Sequence, residues 1–176
     1  EYGLVPVRRT VLVNRVLRTA GWLAVRPGPF GEMLDTFNSE AFAVADHQIA
    51  HVYVADPALV PAITERLCAV PGVAKVLDRM QQREVGIDHP RSGELVALAE
   101  SDAWFAYPYW LDDRNAPDFA RTVDIHRKPG YDPCELFVDP KIALPKLRVA
   151  RRLLQKKLGF RYLMDVVPLD PSLVRG

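Results

Sequence analysis

The sequence predicts an α/β protein, and three observations carry that reading. Apolar residues alternate along two neighbouring runs, Phe42 and Val44 in the first and Ile49, Val52 and Val54 in the second, as half-buried strands require. Between strand-like runs, Leu59, Ile63 and Leu67 recur at helical spacing behind an Asp56–Pro57 start signal. Of the 176 residues, 49% are apolar and 26% charged, enough apolar material for a core in a chain the length of one domain or a large piece of one.

The elements follow in order. "PVRRTVLVNRVLRTAGWLAV" predicts a short helix, with Asn14 able to cap it, Val16, Leu17 and Ala20 forming a stripe, and Gly21 ending it. "RPGPFGE" predicts a loop. "AFAVADHQIAHVYVAD" predicts two strands joined by a tight turn at "ADHQ". The Asp56 helix follows, then a strand at "GVAKVLDR", a turn-rich loop at "VGIDHPRSG" and a buried strand pair in "ELVALAESDAWFAYP". This order implies a small α+β subdomain over 40–107, with 1–39 and 108–176 belonging to a larger core. "LDDRNAPDFA" predicts an exposed loop. "KLRVARRLLQKKLGF" predicts an amphipathic helix that packs through Leu147, Ala150, Leu154 and Leu158.

Charge and cysteine content narrow the function classes. A net charge of +1 gives no overall pull toward nucleic acid or membrane. Cys68 and Cys134 are too few for a disulfide framework or a zinc cluster, and Cys68 in "ERLCAV" reads as a small buried apolar residue. A reducing, cytoplasmic setting is the expectation. No apolar run is long enough for a transmembrane helix. Nucleophile-elbow, P-loop and dinucleotide motifs are absent from the sequence.

Four histidines offer candidate chemistry. His126 follows the strand-like "TVDI" and precedes a Pro/Gly turn, a place from which a strand end aims a side chain into a cleft. Asp124 would share its strand face, whereas Asp132, before a proline, reads as a turn former. Asp46–His47 and His51 belong to the predicted hairpin, and His89 to a pre-proline loop. The basic series Lys146, Arg148, Arg151, Arg152, Lys156 and Lys157 reads as a solvated helix face, with phosphate or nucleic-acid binding as the alternative. "WFAYPYW" reads as core, with a pocket wall as the alternative.

"SGELVALAESDAWFAYPYW" followed by "IHRKPGYDP" resembles the C-terminal part of the type I phosphodiesterase / nucleotide pyrophosphatase family, within the alkaline phosphatase superfamily. The resemblance implies the C-terminal portion of an alkaline-phosphatase-like core with an inserted small α+β subdomain. It implies that His126 stands for the metal-binding His of a His-Gly-Tyr-Asp motif, with "RKP" inserted, and that "EYG" stands for an upstream Asp-His-Gly. Glu1 would then be a metal ligand, and Tyr2 would replace a histidine. That replacement favours a single divalent metal, Zn²⁺ or a harder ion such as Mn²⁺ or Ca²⁺. The family's nucleophile and first ligands lie in an N-terminal half that this chain does not contain. The implied partners are therefore that missing half and a phosphoester substrate, with neither specific nucleic acid nor a membrane. The competing expectations are a non-catalytic scaffold with a degraded metal site, which Tyr2 favours, and a phosphate- or nucleic-acid-binding module built on the 146–157 helix.

Overall fold

A four-stranded antiparallel sheet organises the centre of the chain. The computed structural model describes residues 6–123 and 137–173. Strand β1 (Arg9–Val11) leads into helix α1 (Val13–Thr19) and a hairpin of β2 (Val25–Gly28) and β3 (Gly31–Leu34). Strands β4 (Ala41–Asp46) and β5 (Ile49–Val54) come next, then helix α2 (Val60–Cys68) and β6 (Val73–Leu77). Helix α3 (Arg79–Glu84) leads to β7 (Leu95–Ala99) and β8 (Ala103–Phe105), and helix α4 (Pro145–Lys157) lies near the C-terminus. The sheet order is β4-β5-β7-β6. Because β5 and β6 both run antiparallel to β7, they are parallel to one another, and α2 makes the crossover between them.

The two strands and the α2 start signal form as predicted, although β4 buries Ala41 and Ala43 and leaves Val44 exposed, the reverse of the face marked by Phe42 and Val44. Asp56 caps the turn before α2 by accepting from Ala58 N–H at 2.9 Å. Ile63 and Leu67 are then fully buried beneath the helix, each contributing roughly 1.5–3 kcal/mol. The β4–β5 turn is two residues long, with His47 at φ 52°. All seven residues of "WFAYPYW" are buried. Their rings meet edge to face, Tyr107 and Trp110 at 5.7 Å and 70°.

Several expectations are corrected. The segment predicted as one helix begins as strand β1, which pairs in parallel with β8. Asn14 is not a cap: it is 3% exposed and clamps the backbone of Ala43, donating to its carbonyl at 2.9 Å and accepting its N–H at 2.7 Å. "RPGPFGE" is the tip of the β2–β3 hairpin. β7 and β8 are both buried, yet they pair with other strands rather than with each other. Helix α3, closed by an Asp78–Gln81 capping box, was not foreseen. Cys68 is exposed, because it sits at the last position of α2 rather than on its buried face. No described helix is long and apolar enough to cross a membrane.

Two positions carry much of this packing. Replacing Asn14 with Ala should destabilise the fold by about 2–4 kcal/mol, since two buried backbone groups lose their partners together. Urea melts with an unchanged m-value and no loss of midpoint would contradict that role. At Gly93, an added Cβ would lie 2.5 Å from the Val52 carbonyl oxygen and 2.7 Å from its nitrogen, both rigid backbone of the adjacent central strand. Gly93→Ala should therefore lower the thermal midpoint, at a cost of about 1–3 kcal/mol.

Candidate functional site

The chain enters the segment that holds His126 from a firmly held end. Thr122 is 1% exposed and forms an isolated antiparallel bridge with Asp165. Its hydroxyl donates to the Phe119 carbonyl at 2.7 Å, and the adjacent Arg121 carbonyl accepts from Val167 N–H at 3.0 Å. On the far side of the same segment, buried Asp139 donates its N–H to the Val166 carbonyl at 2.7 Å. Described residues on both sides of 124–136 are thus tied to three consecutive residues, 165–167.

The first of these three residues also positions α4. Arg152 reaches both oxygens of Asp165, Nε to Oδ1 and Nη2 to Oδ2, each at 2.8 Å. Arg148 donates to Oδ2 as well. Burial alone would raise the Asp165 carboxyl, but the hydrogen bonds and charge of Arg152 and Arg148 outweigh it and hold the group well below its ordinary range. α4 therefore docks through its arginines. Its leucine stripe, expected to be the packing face, is exposed instead: Leu147 64%, Leu154 57% and Leu158 61%.

Between α4 and the 139–144 loop lies an open cleft of about 620 Å³. Arg121, Lys141, Arg148, Arg151 and Arg152 line it, together with Asp139 and apolar Ile142, Leu144 and Leu147. Asp139 pairs with Arg121 at 3.7 Å and accepts the Lys141 N–H at 2.9 Å. Such a cleft is suited to an anion flanked by an apolar group.

Glu1 and His126, the predicted metal ligands, lie outside the described residues, as do Tyr2, Asp124, Asp132 and Cys134. The other histidines have structural settings. His47 Nδ1 meets Asp46 Oδ1 at 2.6 Å in the hairpin turn. His51 Nδ1 accepts from Gly93 N–H at 3.3 Å, and His89 Nδ1 from Arg91 N–H at 3.2 Å. Among the described residues no group of three or more His, Cys, Asp or Glu side chains gathers in a metal-binding arrangement. Sequence reasoning missed Asp139 and Asp165, whose partners lie 18 and 13 or more positions away. The only local hint was the lack of any acid within the basic helix itself.

Comparison with known proteins identifies the family. The model for type I phosphodiesterase / nucleotide pyrophosphatase matches residues 1–132. The chain belongs to that family. The phosphodiesterase match spans three quarters of the chain and includes both Glu1 and His126. No curated protein matches. Two crystal structures of phosphonoacetate hydrolase from Sinorhizobium meliloti 1021 are similar. The complex with phosphonoacetate has a TM-score of 0.40 at 19% identity, over 57% of this chain and 24% of the other. The complex with phosphonoformate has a TM-score of 0.42 at 20% identity, over 62% and 26%. The chain spans about a quarter of the length of those structures.

The Asp165 pairing has a pH signature. Its folded-state carboxyl titrates below the ordinary 3.8, so its contribution is complete above that value and is lost as pH falls below it. Asp165→Asn should cost about 1–3 kcal/mol at neutral pH. It should also flatten the acid limb of the stability curve below about pH 4. An acid limb unchanged by the substitution, in urea melts across pH, would mean that the arginines do not hold this carboxylate.

Proposed function

We propose that the chain is the C-terminal part of a metal-dependent phosphodiesterase or nucleotide pyrophosphatase, with Glu1 and His126 among its metal ligands. The single observation that carries this reading is the family match over residues 1–132, which takes in both positions. A carboxylate oxygen and an imidazole nitrogen are donors compatible with Zn²⁺ or Mn²⁺, while Ca²⁺ would rely on the oxygen. Further donors and the nucleophile would come from the N-terminal half of the same domain, the partner this reading requires. When bound, the metal would supply Lewis-acid stabilisation of charge on the transferring phosphoryl group.

The described residues act on this chemistry by positioning. Thr122 and Asp139, which stand on either side of 124–136, are fastened to residues 165–167. That attachment would reduce the entropy lost when the segment takes up a metal. A second reading, a non-catalytic scaffold, is favoured by Tyr2, which stands where the family motif has a histidine.

The test uses the full-length protein and a bis(p-nitrophenyl) phosphate substrate. Activity should vanish with a chelator and return with added Zn²⁺ or Mn²⁺. His126→Ala should lose bound metal and lower kcat/KM by about 100-fold or more, as removal of a metal ligand does, while His47→Ala should retain both. Full metal content and activity in His126→Ala would refute the assignment. A wild type without turnover would leave the scaffold reading in its place.

A further inference from the structure

We propose that the cleft between the 139–144 loop and α4 is a phosphate-binding site that needs no metal, with Lys141 and Arg151 as its recognition cations. The argument starts from how the five cations of the cleft are used. Arg148 and Arg152 share one carboxylate, that of Asp165, and Arg121 is matched to Asp139. Lys141 and Arg151 form no salt bridge with a described residue. Counting Asp139 and Asp165 against the five cations leaves an excess of three positive charges around one cavity.

Preorganisation separates this cleft from an ordinary basic surface. Two guanidiniums are hydrogen-bonded to Asp165, whose side chain is 14% exposed, and a third lies 3.7 Å from Asp139, whose side chain is 9% exposed. An entering anion therefore meets charges already fixed in place and has less side-chain entropy to overcome. The two remaining cations stand on different elements, Lys141 in the loop and Arg151 on α4, so they converge from either side of the opening. Leu144 and Leu147, 65% and 64% exposed, continue the cleft as an apolar wall. A phosphate carried on an apolar group fits this combination of charge and surface. Such a phosphate can belong to a soluble ester or to the headgroup of an anionic lipid.

The test uses the full-length protein in excess EDTA, so that phosphate held through a metal cannot contribute. Calorimetry with inorganic pyrophosphate reads the soluble source. Co-sedimentation with phosphatidylcholine vesicles, with and without phosphatidic acid, reads the lipid source. Binding is expected in at least one arm, and Lys141→Ala and Arg151→Ala should each weaken it by about tenfold. Both side chains are exposed, so the variants should melt like the wild type, which circular dichroism checks. No binding in either arm, or binding that both substitutions leave intact, overturns the proposal. Because the metal is absent throughout, that failure is distinct from loss of the hydrolase reading.

Discussion

The described C-terminal region depends on a clasp three residues long. Asp165, Val166 and Val167 receive the chain at Thr122, receive it again at Asp139, and anchor α4 through Arg148 and Arg152. Without this segment, the 13 residues of α4 would have no buried apolar contact to hold them, since none of their side chains is buried. An isolated helix of that length is marginal in water. The stability of α4 is therefore tertiary and electrostatic. Its inward face, marked by half-buried Val149 and Arg152, is selected by one carboxylate.

The rest of the molecule is held in the ordinary way, by apolar burial around a twisted sheet. Val52, Leu95 and Ala97 are fully buried on adjacent central strands, with Ile63 and Leu67 of α2 over them. Two polar side chains tie elements together inside this core. Asn14 stitches α1 to β4, and the buried Gln82 amide donates to the carbonyls of Leu77, Gly93 and Glu94. Each satisfies backbone groups that the strand ladders leave unpaired.

Local signals were legible in the sequence where physics is local. The strands of 41–54, the Asp56–Pro57 start and the apolar stripe of α2 all depend on near neighbours, and all form where they were read, although β4 buries its alanines rather than Phe42 and Val44. The errors fall where a distant partner decides. Asn14 has the chemistry of a cap, but Ala43 takes its hydrogen bonds, 29 positions away. The α4 periodicity correctly marks a helix, yet cannot say which face packs, because Asp165 lies outside the pattern. β1 was hidden within a helical reading because its partner β8 lies more than 90 positions on. Glu1 and His126 were singled out as metal ligands by resemblance to a family motif rather than by any local pattern, and both lie outside the described residues.

The tip of the β4–β5 hairpin has a further consequence. The Gln48 amide donates to three carbonyls, those of Glu100, Ser101 and Ala103, and the His47 carbonyl accepts from Phe105 N–H. Two-residue hairpin tips on a protein surface are usually permissive places to insert a tag or a foreign loop. This one is a rivet between the four-stranded sheet and the β1–β8 pair, so lengthening it would let the two sheets slip past each other.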